Sequence, residues 1–183
     1  MTITEPFRAT LPDAVTLDLY RDIHKAIRTE LFGLVAAAGR TDASDASARR
    51  ELAANVRRVV DVLEQHAHHE DDAIGPVLER ELPRLAERIE RDHTAFDGRG
   101  SYLVGFADHV ADEAAEADRR LLLHHLYLDL AGFTSVYLAH QDVEERELMP
   151  ALEAAIGPEA VGAIHGQILA SIPPDEMARS LAV

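Results

Sequence analysis

The sequence Gln-His-Ala-His-His-Glu-Asp-Asp at residues 65–72 contains the first of two motifs from which the fold and a metal site can be predicted. It continues a segment in which Leu52, Val56, Val59 and Leu63 recur at helical spacing, so we predict a helix here. His66 and Glu70 are four residues apart, which places them on the same face of that helix, one turn above each other. An imidazole and a carboxylate stacked in this way provide half of a metal site.

A second copy of this pair lies far downstream, at His140 and Glu144. In both copies a proline follows six residues after the glutamate, at Pro76 and Pro150. One His-x-x-x-Glu pair is weak support for a metal site, because such pairs arise by chance in acidic helices. Two copies on separate long helices favour a shared site between the helices.

The composition favours an all-α protein whose metal would be held by oxygen and nitrogen. The chain has 183 residues, of which 47% are hydrophobic and only 5% aromatic. This length allows one domain with a sizeable core. Because there is no cysteine, the ligands available are histidine, aspartate and glutamate, a set that suits iron, manganese or zinc.

The charge limits the classes of partner. The formal net charge is −15, which argues against nucleic acid and against anionic membrane surfaces as partners. The sequence shows no signal peptide and no apolar window long enough to span a membrane, so we expect a cytoplasmic protein. No pattern identifies a protein partner or an oligomeric state.

Periodicity predicts four long helices, with residue ranges near 13–39, 45–75, 83–112 and 121–149. Asp13 or Thr16 is expected to cap the first, Pro76 to end or kink the second, and Pro150 to bend the fourth. The predicted organisation is a flexible tail at 1–12, a bundle at 13–157 and a C-terminal helical extension at 158–183. The extension has short helices at 158–169 and from 174 onward, and it stops so early in the last one that a truncated chain is expected.

Four long helices with short links predict an up-down-up-down four-helix bundle. At a rise of about 1.5 Å per residue, His66 and Glu70 lie about 15 Å before the second turn, and His93 about 14 Å after it. The same estimate brings His24 and His140 to this height. We therefore predict one layer of metal-binding side chains: His24, His66, Glu70, His93, His140 and Glu144.

This order of residues, a histidine and a His-x-x-x-Glu pair twice over, resembles the hemerythrin-like (HHE cation-binding) family across residues 16–156. The resemblance implies two non-haem Fe ions with an oxo or hydroxo bridge, although Zn or Mn would also suit the ligands. It further implies that His24, His66, His93 and His140 are terminal ligands. Glu70 and Glu144 would be the bridging carboxylates.

Two departures from the oxygen-carrying hemerythrins indicate which branch this chain is similar to. Asp97 stands where those proteins have a second histidine, and Glu144 stands at the fourth position after His140, with Glu145 at the fifth. The His-x-x-x-Glu form resembles the iron-responsive and redox-active branches. It implies a protein that reacts with or senses O2, peroxide or nitric oxide. The alternatives are an iron- or oxygen-responsive binding module without turnover and a structural zinc-binding bundle, so enzyme activity stays open.

Further side chains near the layer have alternative interpretations. Asp97 would ligate metal or contact a ligand, Tyr20 would cap the site or pack in the core, and Arg28 would pair with a ligand carboxylate or lie at the surface. Glu147 is the nearest unassigned carboxylate. The remaining histidines are interpreted as exposed, structural or peripheral to the site: His68, His69, His109, His124, His125 and His165.

Overall fold

The structure, a computed structural model, describes residues 15–112 and 115–172, except the side chain of Glu116. It confirms the predicted all-α fold. The elements in chain order are α1 (Arg21–Arg40), α2 (Ala46–Ala73), α3 (Gly75–Glu81), α4 (Pro83–Asp112), α5 (Glu116–Val143), a π-helix (Glu144–Leu148), α6 (Met149–Ile156) and α7 (Pro158–Ser171).

The second helix begins and ends where its sequence predicts. The Asp45 carboxylate accepts hydrogen bonds from the backbone N–H groups of Ser47 and Ala48, which otherwise have no partner at a helix start. The helix ends at Ala73, and Pro76 stands in the first turn of α3, where a missing N–H costs nothing. The third long helix, α4, is continuous from Pro83 to Asp112, as predicted.

Two predicted helix starts are wrong. The first helix begins at Arg21, because the Thr16 N–H and hydroxyl donate to Glu153, and Asp18 accepts from the N–H groups of Tyr20 and Arg21. The fourth begins at Glu116, five residues before the predicted Leu121. The proposed cap Asp13, the tail at 1–12 and the helix from residue 174 lie outside the described residues.

The four long helices form the predicted bundle. Sequential neighbours α1 and α2, α2 and α4, and α4 and α5 pack together, and α5 closes the ring against α1. Helices α2 and α4 pack closely at Gly100, where an added Cβ would lie 2.9 Å from Val60 Cγ1. The short α7 packs on α2 and α6, while the predicted domain boundary before residue 158 stays a prediction. Within the described ranges, no helix has the length and apolarity needed to cross a bilayer.

Two apolar clusters fill the bundle and leave a polar layer between them. The larger includes Ile27, Val56, Leu103 and Leu130. The smaller gathers around α3, the π-helix and α6, with Ile74, Ile89, Leu148 and Leu152 among its members. On each long helix the predicted metal-binding residues fall between segments that belong to these clusters, whereas Glu144 follows Val143 of the smaller cluster at the start of the π-helix.

Candidate metal centre

The six residues predicted to bind metal lie together in the layer between the two apolar clusters. All are buried, from fully buried His24 to His66, which is 8% exposed. They form two groups of four, and within each group the nearest ligand atoms lie within 4.8 Å of one another. We name these groups the α1/α2 half-site (His24, His66, Glu70, Glu144) and the α4/α5 half-site (His93, His140, Glu70, Glu144).

Each glutamate belongs to both half-sites, and its two oxygens face different ones. Glu70 Oε1 lies 3.2 Å from His66 Nε2, whereas Glu70 Oε2 lies 3.4 Å from His93 Nε2. Glu144 Oε2 lies 3.4 Å from His24 Nε2, whereas Glu144 Oε1 lies 3.0 Å from His140 Nε2. Every histidine therefore presents Nε2 to the centre, and each carboxylate spans the two half-sites.

The carboxylate oxygens are buried and form no hydrogen bond within the described chain, although imidazole Nε2 atoms lie 3.0–3.4 Å away. All four oxygens of Glu70 and Glu144 lack a hydrogen bond from the described part of the chain. A buried, unpartnered carboxylate costs several kcal/mol, about what is lost when one half of a buried ion pair is removed. A pair of cations would satisfy all four oxygens at once, so the donor set fits a two-metal centre.

Burial and mutual repulsion give the two glutamates opposite tendencies. Burial and the charge of Glu144 raise the pKa of Glu70 well above its usual range. Burial also opposes ionisation of Glu144, but the neighbouring His140 and His93 outweigh it and lower its pKa below the usual range. The protein groups alone therefore do not support two ionised carboxylates side by side.

The histidines also divide by environment. Burial and the adjacent His24 lower the pKa of His66 to about 3, which favours a neutral imidazole. Burial opposes the charge on His93, but Glu144, Glu70 and Asp71 outweigh it and raise its pKa to about 11. Neutral imidazole is the form that binds a metal, and a cation close by would displace the proton that His93 holds.

Carboxylates outside the two half-sites contact Nδ1 of three of the four imidazoles, on the ring edge that faces away from the centre. His24 Nδ1 lies 2.9 Å from Glu145 Oε1, and His93 Nδ1 lies 2.9 Å from Asp71 Oδ1. A looser contact of 3.4 Å joins His140 Nδ1 to Asp92 Oδ2. When Nε2 binds at the centre, Nδ1 carries the proton and donates a hydrogen bond to the outer carboxylate. This hydrogen bond fixes the tautomer and the ring orientation.

The π-helix positions Glu144 and Glu145. Glu144 begins the wider turn and faces the centre, while Glu145 turns toward α1 and also accepts a hydrogen bond of 2.7 Å from Arg28. A π turn in a helix is frequent at functional sites. The outer carboxylates are not among the residues predicted from the sequence. Two of them have a sequence signal, because an acidic residue, Asp71 or Glu145, directly follows the glutamate of each His-x-x-x-Glu pair.

The other predicted neighbours of the centre are also located. The Tyr20 ring is buried against His24, with ring centroids 4.9 Å apart. Arg28 pairs with Glu145 rather than with a carboxylate of the layer, and Asp97 lines a small cavity beside His93 outside both half-sites. The exposed His68 pairs with Asp72, and Glu147 pairs with Arg88.

Comparison with known proteins identifies the family. A family model, the hemerythrin HHE cation binding domain, matches residues 15–152. No curated protein and no solved structure matches the chain. The matched range covers α1 to α5, the π-helix and both half-sites. The chain belongs to the hemerythrin HHE cation-binding family.

Proposed function

We propose that this protein holds two non-haem irons between its four long helices and reacts with or senses O2, peroxide or nitric oxide. The observation that carries the proposal is the division of the carboxylate oxygens. Glu70 and Glu144 each direct one oxygen to each half-site, and none of the four oxygens forms a hydrogen bond within the described chain. Two negative charges shared in this way reduce the repulsion between two adjacent cations.

Each residue has a distinct task in this proposal. The four imidazoles would bind through Nε2, two in each half-site, and the two glutamates would bridge. The iron pair would supply electron exchange with a small oxidant at coordination positions that the protein leaves open. The two apolar clusters enclose the layer and limit the access of bulk water to it.

A small cavity adjoins the centre at His93, outside both half-sites. A cavity of about 10 Å³ lies beside His93, which corresponds to room for about one water molecule. Its walls include the buried Val60, Leu63 and Phe133, and exposed Glu64 and Asp97 line it on the solvent side. A diatomic molecule or a peroxide is close to this size, whereas an organic substrate would require the helices to move apart.

Metal analysis of aerobically purified protein tests the proposal. We expect about two irons per chain and a near-ultraviolet absorption that disappears when iron is removed. Zinc alone at two per chain would favour the structural bundle, and no bound metal would contradict the proposal. Addition of hydrogen peroxide or nitric oxide to the iron-loaded protein then separates its roles. Multiple turnovers indicate an enzyme, and a single stoichiometric spectral change indicates a sensor.

A further inference from the structure

The two half-sites differ in how many of their imidazoles contact a carboxylate at Nδ1. In the α4/α5 half-site both histidines meet a carboxylate at Nδ1, since His93 contacts Asp71 and His140 contacts Asp92. In the α1/α2 half-site only His24 does so, through Glu145. The contacts of His66 in the described chain are made through Nε2, to His24 and Glu70, and no carboxylate accepts a hydrogen bond from its Nδ1.

The contact between Glu145 and His24 in the α1/α2 half-site is also weaker than its counterparts, because Glu145 has a second partner. Arg28 lies 2.7 Å from the same Glu145 oxygen that His24 contacts, so this carboxylate divides its charge between two donors. Asp71 and Asp92 have no arginine or lysine partner within the described residues. The Arg28 guanidinium also adds a positive charge close to this half-site, and that charge opposes the binding of a cation.

A carboxylate that accepts a hydrogen bond from Nδ1 of a metal-binding imidazole strengthens the bond between Nε2 and the metal. It orients the ring and increases the basicity of Nε2, and loss of such a partner typically costs about 10- to 100-fold in metal affinity. The α1/α2 half-site lacks one such partner and shares another. The number of supported imidazoles therefore predicts an affinity difference of about this size.

We propose that the two half-sites bind metal in order: the α4/α5 half-site takes the first cation tightly, and the α1/α2 half-site holds the second as the exchangeable one. Asp71, Asp92 and Glu145 act as positioning residues in this scheme. The proposal rests on the two-metal function above. It adds that a chain short of metal carries its single cation between α4 and α5, so only full loading completes the pair.

The experiment is equilibrium dialysis of the full chain against buffered Fe(II) without oxygen, with bound iron measured per chain. We expect two steps separated by about 10- to 100-fold in free iron. His66→Ala, which leaves the α4/α5 half-site complete, should bind one iron near the tighter step. His93→Ala, which leaves the α1/α2 half-site complete, should bind one near the weaker step.

Milder variants test the positioning residues without removing a histidine. Asp92→Asn should weaken the tighter step about tenfold, and Glu145→Gln should weaken the other. The matched controls are Asp129→Asn and Glu30→Gln. Asp129 and Glu30 are 30% and 24% exposed, against 34% for Asp92 and 25% for Glu145, and each of the two controls pairs with an arginine, as Glu145 does. Neither control contacts an imidazole of the layer, so both should leave the two steps and the helicity unchanged.

The outcomes separate the inference from the proposed function. Two irons that bind in equal steps, or a His93→Ala chain that binds iron more tightly than the His66→Ala chain, would overturn the ordered half-sites and leave the two-metal function intact. Binding of fewer than two irons by the unaltered chain at saturation would overturn both. A shift of the same step by Asp92→Asn and Glu145→Gln would contradict the assignment of these residues to different half-sites.

Discussion

The two halves of the bundle, α1 with α2 and α4 with α5, carry the same pattern of metal-binding residues and differ in the residues around it. In each half a single histidine on the first helix meets a His-x-x-x-Glu pair on the second. The acidic residue after each glutamate crosses to the other half, since Asp71 contacts His93 and Glu145 contacts His24. The halves differ in the residue before the single histidine, which is Asp92 on α4 and Ile23 on α1.

The residue at this position decides whether the imidazole on the next helix, His140 or His66, has a carboxylate at Nδ1. Asp92 contacts His140 on the neighbouring α5, whereas Ile23, its counterpart, packs against the larger apolar cluster. Among the described residues, no carboxylate consequently contacts His66 at Nδ1. Each half supplies equivalent groups to the centre, and the asymmetry lies in the residues that support them.

The largest expected effect comes from removal of a group that both halves share. Glu70→Ala or Glu144→Ala should reduce bound iron from about two to one or fewer per chain, because each glutamate contributes an oxygen to both half-sites. Iron is measured after gel filtration, with Glu147→Ala as the control, since Glu147 is exposed and pairs with Arg88. Full retention of two irons in both variants would show that the glutamates do not bridge.

Removal of metal should lower stability and expose the polar layer. A cation at 100 times its dissociation constant stabilises the folded state by about 2.7 kcal/mol, or roughly 5–10 °C in Tm for a chain of this size. In the metal-free protein the buried carboxylates lose their partners, so hydrogen exchange should rise most at residues 65–75 and 92–100 and in Glu144–Leu148. Equal Tm values with unchanged exchange in these segments would contradict a functional centre.

The parts of this site that follow from helical periodicity can be predicted from the sequence, whereas those that depend on side-chain direction between helices cannot. The six residues of the layer follow from helical spacing and a rise per residue, so His24 and His93 are identified although they are distant in sequence from Glu70 and Glu144. The outer carboxylates depend on side-chain direction between helices, and acidic residues are common throughout this chain. The π turn is also absent from the prediction, because Pro150 indicates only a local irregularity in the helix.

The two prolines that follow the motifs test whether the π turn matters. A proline ring inside a regular helix would collide with the carbonyl four residues earlier, here that of Arg146, and we infer that the π turn just before Pro150 avoids this contact. Pro150→Ala should favour a regular helix, move Glu145 away from His24 and weaken the looser iron-binding step about tenfold. Pro76→Ala is the matched control, because Pro76 opens a separate helix after a regular α2. An identical effect of both substitutions would assign the loss to general destabilisation.

The smallest expected effect is a gain, and it addresses the position before the single histidine of each half, which is Ile23 on α1 and Asp92 on α4. Ile23→Asp places on α1 the residue type that Asp92 provides on α4, so a carboxylate there should reach His66 Nδ1 as Asp92 reaches His140 Nδ1. The weaker iron-binding step should then tighten up to about tenfold, with the two steps closer together. Ile23→Asn is the control, since it loses the same apolar contact without adding charge, and both variants should lose similar Tm in the metal-free state. The reciprocal Asp92→Ile should bring the steps together by weakening the tighter one. Equal iron binding by Ile23→Asp and Ile23→Asn would show that the two halves differ for another reason than the missing carboxylate.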